Sequence, residues 1–586
     1  MNLVRRLRSV LPGTAVAICL VAACSPNNSE NADSPPSAAQ EQEPVPAEPV
    51  PTDSAAEREQ PNAAENPAEP SSEGTPITPA EPIPSEQGES VESDVIPRDA
   101  PQGSQSSPAN SGKPFDFSDV ERLARQLASQ DFEPSPDLPK AAAELNYDQF
   151  RRIQNRPGSI LWADQPSDYR LVLDPRGYLF SHKVRLNIVD GETIVPVEYD
   201  ETAFSFEDLP LSVEERQQLG FSGFKVQTPL NRGGKFDELI SFRGASFFRA
   251  LGAGSVYGAS ARGIAVKTAS PDGEEFPFFR EFWIRTPSAG DAGITVFALL
   301  DGKSVTGAFE FFVSAGPITT VDVKATIVPR RRLDNVGVVP LTSMYYFSPQ
   351  DVAKVSGDYR PAVHDSQGLS FRQRNGEWVW RPLINPTELQ VSVLAQDVPR
   401  GFGLMQRLRG FDAYADIEAD YHLRPSVWVQ PGKGWEAGQL TLVEIPTTNE
   451  YNDNIVVFWR PRDAWEAGQA HHLAYRLSWG LQSPAVPDVV SIRQSRVGRT
   501  PGGKRHLFVI DFDTSDPAVI QDVEASVSTS AGTVSNVVIR RDPDADITRL
   551  SFELDPESAQ SAELRALITR AGKPVTETWI YRWRLP

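Results

Sequence analysis

The residues of this sequence whose types could do chemistry are carboxylates, and they stand out in two short segments. Asp365 lies between His364 and a serine, and Asp453 follows Glu450 by three residues and stands between two asparagines. Hydrolysis of a glycosidic bond needs one acid that protonates the leaving oxygen and one base that activates water. Two aspartates among polar and aromatic neighbours can supply such a pair.

Each segment also has a purely structural interpretation. The Asn-Asp-Asn sequence at 452–454 is a good turn, and Asp365 followed by serine is a good local cap. From residue types and spacing alone, catalysis and local structure both stay open for the two aspartates.

Aromatic and cationic side chains could bind the sugar that such an acid and base would act on. Tryptophan rings present flat surfaces for stacking, and arginines bind hydroxyls or orient carboxylates. Tryptophans that alternate along a strand are as often core, and arginines are as often structural partners. The candidates for substrate binding are Trp378, Trp380, Trp428, Trp435, Arg262 and Arg424.

Three motifs for other chemistries fail. The glycines at 252–258 imitate a dinucleotide loop, but their last spacing is wrong and no strand–helix–strand pattern surrounds them. His471 and His472 are adjacent, so on a strand they point to opposite faces, and no third ligand accompanies them. The Gly-x-Ser-x-Gly elbow of serine hydrolases does not occur in the sequence. We therefore expect no cofactor and no metal.

The elements that must position these residues are strands. A chain of 586 residues is too long for one ordinary core, and beyond about Tyr169 its apolar residues alternate with polar ones between Gly and Pro turns. This pattern predicts an all-β fold with a large antiparallel β-sandwich at 113–481. Prolines in 482–488 mark a boundary, after which further short strands predict a small immunoglobulin-like β-sandwich at 488–586.

The N-terminus has the features of an export signal. Arginines precede an apolar run too short to span a bilayer comfortably, and residues 1–23 end in Leu-Val-Ala-Ala before Cys24. This resembles a bacterial lipobox and predicts lipidation of Cys24; an ordinary signal peptide with a chance cysteine is the alternative. Ser25 stands where an inner-membrane retention signal usually has aspartate, which favours anchoring to the outer membrane on its periplasmic side.

Residues 24–112 are predicted to be a disordered tether. They are rich in Pro, Glu, Ser and Ala, and so cannot bury enough apolar surface to offset the entropy of ordering. A flexible chain of this length spans roughly 50 Å. The segment also carries about two thirds of the net charge of −21, which leaves the folded part only mildly acidic. Such a surface argues against nucleic acid as a partner.

Residues 236–287 alternate aromatics, arginines, acids and glycines more densely than an ordinary strand core needs, since buried polar groups must be paired or meet a ligand. The stretch includes Arg-Gly-Ala-Ser-Phe-Phe-Arg at 243–249 and Glu-Phe-Trp-Ile at 281–284. It closely resembles the osmoregulated periplasmic glucan biosynthesis proteins G and D. The likeness runs from about Phe150 to about Trp479 and includes both carboxylate segments.

The resemblance implies a fold and a reaction. The large domain of that family is a β-sandwich similar to galactose mutarotase, and its characterised members look like endo-acting β-1,2-glucanases that invert the anomeric centre. Asp453 matches the general acid of the family and Asp365 matches the general base. Glu450 would raise the proton affinity of Asp453, and polar neighbours such as His364 would keep Asp365 ionised.

The predicted function is thus an inverting endo-β-1,2-glucanase that trims or shapes osmoregulated glucans in the periplasm. A β-1,2-glucan transglycosylase that uses the same acid, and a non-catalytic glucan-binding partner of the membrane synthase, are the alternatives. Expected partners are β-1,2-linked glucan and membrane lipid through Cys24. The family resemblance implies two more, the inner-membrane glucan synthase and a second copy in a homodimer. The lipobox and tether depart from the soluble layout of the family, which leaves location and partners open.

Overall fold

The computed structural model of the chain describes residues 114–350 and 357–585. The predictions of a signal peptide at 1–23, a tether at 24–112 and a lipidated Cys24 lie outside the described residues. Among the described residues, no helix has both the length and the apolar character needed to cross a membrane.

Four α-helices lie in the first half of the described chain. The longest packs its buried Val120 and Ala124 against Trp283 on the outside of a large sheet. Asp116 and Asp119 form a capping box at its N-terminus. The Asp116 carboxylate accepts from free backbone N–H groups of the first turn, and the Asp119 carboxylate accepts from the backbone N–H of Asp116. The helices are α1 (Phe117–Ala128), α2 (Lys140–Ala143), α3 (Tyr147–Phe150) and α4 (Val213–Gln218).

Strands make up most of the remaining structure. Those of the first half are β1 (Gln154–Asn155), β2 (Arg170–Pro175), β3 (Arg185–Asp190), β4 (Thr193–Pro196), β5 (Phe204–Ser205), β6 (Phe221–Thr228), β7 (Asp237–Arg243), β8 (Phe247–Ala250), β9 (Ser260–Arg262), β10 (Ile264–Val266), β11 (Phe278–Arg285), β12 (Ile294–Asp301), β13 (Val305–Ser314), β14 (Ile318–Pro329) and β15 (Val336–Ser343).

The second half continues in the same way. Its strands are β16 (Tyr345–Phe347), β17 (Val363–His364), β18 (Gly368–Arg372), β19 (Trp378–Pro382), β20 (Gln390–Ala395), β21 (Gly401–Met405), β22 (Ser426–Pro431), β23 (Gly438–Glu444), β24 (Ile455–Pro461), β25 (His471–Gly480), β26 (Ile492–Arg499), β27 (His506–Asp513), β28 (Glu524–Thr529), β29 (Thr533–Asp542), β30 (Ile547–Asp555), β31 (Ser561–Arg570), β32 (Lys573–Pro574) and β33 (Thr578–Arg584).

Two large sheets pack face to face. The first has the order β2-β6-β7-β8-β9-β15-β24-β23-β20, with β10 also paired to β15. The second has the order β28-β31-β33-β19-β18-β21-β22-β25-β14-β13-β12-β11-β3-β4. Their inner faces share one hydrophobic core, in which Phe242 of the first sheet and Phe311 of the second meet at 5.1 Å between ring centroids. The all-β antiparallel sandwich expected from the sequence is confirmed.

The C-terminal strands form a smaller layered unit with a core of its own. A four-stranded sheet in the order β26-β27-β30-β29 faces β28, β31 and β33. The last strand, β33, pairs in parallel with β19, so that Val379 lies opposite Thr578 and the second large sheet continues into this unit. The boundary at 482–488 and the immunoglobulin-like topology stay predictions.

Candidate active site

Asp453 lies at the end of the loop 445–454, which joins β23 to β24 in the first sheet. The next residue fastens this loop to the sandwich. Asn454 donates from its side-chain amide to the backbone oxygens of Tyr345 and Ile445 at 2.9 and 3.0 Å, and its Oδ1 accepts from Tyr345 N at 2.8 Å. The position of the Asp453 backbone is therefore fixed by a buried asparagine beside it.

Asp365 directly follows β17, a two-residue strand paired with β16. Its backbone N–H donates to Met344 O at 2.9 Å, and the next side chain, Ser366, accepts a hydrogen bond from Ser343 at 2.8 Å. The Asp365 side chain is 8% exposed, and its Oδ1 lies 3.0 Å from Nη1 of Arg424. A buried guanidinium thus forms an ion pair with Oδ1 of this aspartate, although that oxygen accepts no hydrogen bond from the described residues.

Asp453 has a different environment. It is half-buried, and its buried Oδ2 receives no hydrogen bond from the residues that the structure describes. Burial and then the charge of Asp365 raise the pKa of Asp453 to about 7, while Arg249, Arg262 and Arg424 act in the opposite direction. A carboxyl group with this pKa holds its proton in a large fraction of molecules near neutral pH.

Burial also raises the pKa of Asp365, but Arg424 and Arg249 oppose this effect. The direct ion pair with Arg424 stabilises the ionised form, which is the form that a base requires. The structure therefore brings two carboxylates within electrostatic reach of each other and gives them unequal surroundings. Such a division is typical of an acid and a base in one site.

Glu450 does not act as the sequence suggested. Its carboxylate turns to Arg360, at 2.7 Å from Nη2, and its charge raises the pKa of Asp365. The like charge that raises the pKa of Asp453 comes instead from Asp365. Three residues of separation in an irregular loop did not direct the two side chains toward each other.

His364 is a core residue. It is fully buried, its ring stacks on Tyr345 at 5.5 Å between centroids, and the ring of Tyr414 meets it edge-on at 5.3 Å. Burial lowers the pKa of His364 to about 3, so the imidazole is neutral at physiological pH. His364 was expected to favour the ionised form of Asp365 as a polar neighbour, but the groups that do so are Arg424 and Arg249.

Three of the four candidate tryptophans are buried, and the fourth is half-buried. Trp378 and Trp428 pack at 5.6 Å between ring centroids, and Trp380, 1% exposed, lies beneath the guanidinium of Arg407 at 3.7 Å. These three belong to the core of the C-terminal unit, while the half-buried Trp435 donates to a backbone oxygen at 3.0 Å. The burial of Trp378, Trp380 and Trp428 argues against sugar stacking by these three rings, and periodicity along a strand could not distinguish the two roles.

Arg262 is held on β9, at the centre of the first sheet. It donates to Thr342 at 3.0 Å and to Glu274 at 2.6 Å, and it lies over the ring of Phe247 at 4.7 Å. Its charge also reaches Asp453. Arg262 and Arg424 are thus ion-paired arginines beside the two aspartates. This position fits a role in orienting the carboxylates better than a role in binding sugar hydroxyls.

Sequence reasoning missed four residues of this site. Arg249 on β8 acts on both aspartates, and Arg360 binds Glu450. Tyr414 and Tyr421 are fully or nearly fully buried, and Asp365 raises the pKa of both hydroxyls further. The arginine-rich stretch around 243–249 contained a signal for Arg249, but the two tyrosines lie in an irregular loop without periodicity.

Within the described residues, no cluster of three or more histidine, cysteine or acidic side chains is arranged to hold a metal ion.

Comparison with known proteins agrees with the resemblance. The family model described as "Periplasmic glucan biosynthesis protein, MdoG" matches residues 115–583. Glucans biosynthesis protein G of Vibrio cholerae serotype O1 is 43% identical over 475 residues, which cover 80% of this chain and 87% of that protein. The protein of the same name from Shewanella frigidimarina is 42% identical over 80% of this chain and 85% of its own length, and Glucans biosynthesis protein G 1 of Shewanella oneidensis is 42% identical over 80% and 87%. The chain belongs to the family of MdoG periplasmic glucan biosynthesis proteins.

Proposed function

We propose that this protein is an inverting endo-β-1,2-glucanase that trims or shapes periplasmic glucans. Membership of a glucan biosynthesis family supports a glucan as the substrate. The observation that carries the proposal is the unequal pair of carboxylates. Asp453 has a pKa near 7, while Asp365 forms an ion pair with Arg424 at 3.0 Å.

The pair performs the reaction as follows. Asp453 gives its proton to the glycosidic oxygen while the bond from that oxygen to the anomeric carbon breaks. Water attacks the anomeric carbon from the opposite face and passes a proton to Asp365, directly or through a relay of water and a sugar hydroxyl. The new reducing end has the inverted configuration. Proton exchange with solvent then returns Asp453 to its acid form and Asp365 to its base form.

The arginines around the pair have a defined part in this scheme. Each turnover leaves Asp453 negative at the moment when the leaving group departs. Arg249, Arg262 and Arg424 lie near enough to favour that charge, and so limit how high the pKa of Asp453 rises. An acid whose pKa stays near the working pH can both hold and release its proton.

The test is hydrolysis of pure linear β-1,2-glucan by the full chain and by Asp453→Asn, with Asp365→Asn beside it. Asp463→Asn, an exposed aspartate in the loop after β24, is the matched control. We expect wild type and control to produce reducing ends, with the inverted anomer visible first by NMR. Both active-site variants should lose at least about 100-fold in kcat.

Two outcomes would overturn the proposal. Transfer of glucan chains without one new reducing end for each bond cleaved would make the protein a transglycosylase. Binding of glucan by wild type without cleavage would make it a non-catalytic partner of glucan synthesis.

We also propose that the protein is lipidated at Cys24 and held at the periplasmic face of the outer membrane by the segment 24–112. The lipobox sequence and the serine that follows the cysteine support this location. Incorporation of labelled palmitate that is lost in Cys24→Ala, followed by separation of the two membranes, tests it. Label in Cys24→Ala, or wild-type protein in the inner membrane, would contradict it.

A further inference from the structure

Arg360 binds three carboxylates from three segments of the chain. Its guanidinium lies 2.8 Å from Asp358, 2.9 Å from Asp416 and 2.7 Å from Glu450. The arginine side chain is only 14% exposed, and that of Asp416 is 5% exposed. Water therefore screens these ion pairs less than it screens pairs on an open surface.

Two of these carboxylates lead to the two halves of the candidate active site. Glu450 lies in the loop 445–454, three residues before Asp453. The link from Arg360 to Asp365 begins at Asp416. The Oδ1 of Asp416 accepts hydrogen bonds from the backbone N–H groups of Glu418 and Ala419 at 3.0 and 2.7 Å. Asp416 thus fixes the turn at 416–419.

This turn holds the arginine that binds the second aspartate. The backbone oxygen of Ala419 accepts from Nε and Nη2 of Arg424 at 3.2 and 2.9 Å. The remaining nitrogen, Nη1, lies 3.0 Å from Asp365. A continuous series of ion pairs and hydrogen bonds therefore joins the loop of Asp453 to the carboxylate of Asp365, and Arg360 is its central member.

We propose that Arg360 is a positioning residue, which holds the loop of Asp453 at a fixed separation from the loop of Asp416. This inference rests on the proposed function, because the separation matters only if both aspartates act on one bond. Arg360 acts on the reaction through Glu450 and Asp416. A displacement of about 1 Å between reacting groups can cost about 100-fold in rate.

The charge of Arg360 has a second effect that a purely structural contact would not have. The charges that act on Asp365 are those of Arg424, Arg249 and Glu450, and the titratable groups that feel the charge of Asp365 are Asp453, Tyr414 and Tyr421. Without Arg360, the carboxylate of Glu450 would keep its charge with no arginine beside it, and the pKa of Asp365 would rise. A base must be ionised, so the acid limb of the rate profile would move to higher pH.

The experiment compares Arg360→Met, Arg360→Lys and the double variant Arg360→Met/Glu450→Gln with wild type. Arg332→Met is the matched control, because Arg332 also bridges two carboxylates, Asp334 and Glu466, but on an exposed surface. Initial rates on linear β-1,2-glucan give kcat and KM from pH 4.5 to pH 8.5. Thermal unfolding and hydrogen exchange of the loops 445–454 and 411–424 accompany the kinetics.

We expect Arg360→Met to lower kcat by about 100-fold with KM changed less than threefold, and to move the acid limb upward. Arg360→Lys should keep the limb near its wild-type position but recover little of kcat, because an ammonium lacks the planar fork that contacts three carboxylates. The double variant should return the acid limb of the pH–rate profile to its wild-type position, but its kcat should stay low. Arg332→Met should match wild type.

A wild-type kcat and an unmoved acid limb in Arg360→Met would overturn the inference. So would an equal loss in Arg332→Met. If wild type itself leaves the glucan intact, the proposed function has failed, and hydrogen exchange decides the positioning role. Faster exchange in both loops of Arg360→Met supports that role, whereas a change in neither or in only one of them overturns it.

Discussion

Replacing Asp453 by asparagine should make the folded protein more stable above pH 7, although it removes the proposed acid. The folded state holds the proton of Asp453 more tightly than the unfolded chain does, because burial and Asp365 raise its pKa from 3.8 to about 7. Below pH 4 the group is protonated in both states and costs nothing. As the pH rises from 4 to 7 the unfolded state releases this proton first, so the free energy of unfolding falls.

The magnitude follows from the size of the shift. One pKa unit corresponds to about 1.4 kcal/mol, so a shift from 3.8 to about 7 is worth up to about 4 kcal/mol. Asp453 is half-buried, and partial screening by solvent reduces this to about 2 kcal/mol. Asparagine has nearly the same shape as protonated aspartate and carries no charge at any pH, so the variant escapes this cost.

The assay is urea denaturation of wild type and Asp453→Asn, followed by tryptophan fluorescence at several pH values from 4 to 8.5. The stability difference should be near zero at pH 4, grow through pH 6 and become constant above pH 7. A difference that does not change with pH would refute the reasoning, because it would mean that Asp453 titrates normally in the folded protein.

Asp365→Asn provides the contrast. It leaves the buried guanidinium of Arg424 without its carboxylate, which costs about 3 kcal/mol. This loss opposes the gain from removing a carboxylate whose pKa is also raised by burial. Asp365→Asn should therefore be less stable at pH 8 than Asp453→Asn by at least about 2 kcal/mol. Equal stabilities of the two variants would show that the two environments are not different.

Three further substitutions test individual contacts. His364→Phe should retain the pH profile from pH 5 to pH 8 and activity within about threefold, because His364 is neutral and stacked on Tyr345; loss of a titration step would contradict this. Gly368→Ala should destabilise the protein by about 2 kcal/mol or more, since an added Cβ would lie 2.3 Å from the buried ring of Trp380. Gly158 has open space around it, so Gly158→Ala should leave the stability unchanged in the same denaturation assay. Glu577→Gln should lower the free energy of unfolding in the urea assay by about 3 kcal/mol, because the fully buried Glu577 binds Arg407 through two contacts of 2.7 Å. A loss below about 1 kcal/mol would contradict this expectation.

Alternation of apolar and polar residues predicted much of the fold. The alternation beyond Tyr169 corresponds to strands such as β12, and a glycine turn at Gly191 joins the paired strands β3 and β4. The pairing order of the sheets could not be predicted, because period two places a side chain on a face but does not say which strand lies beside it. The parallel pairing of β19 with β33 is an example.

Family resemblance alone pointed to Asp365 and Asp453 as a pair. The charges that act on their carboxylates are visible only in the structure. Asp365 and Asp453 lie 88 positions apart, and nothing in their spacing places them together. The sequence suggested sugar stacking for tryptophans that the structure places in a core. Residue type alone cannot separate these roles, because the side chain is the same in both. Arg360 gave little local signal, since two of its three carboxylate partners, Asp416 and Glu450, come from loops more than 50 residues away.

The pairing of the last strand with β19 has a consequence for how the protein is made. Val379 lies opposite Thr578, about 200 residues later in the chain, so one edge of β19 has no partner until synthesis is almost complete. Contacts of such long sequence separation form late, because a large loop must first close. The segment that leads from Asp365 through β18 to β19 should therefore complete its sheet only after the C-terminal strand has been synthesised.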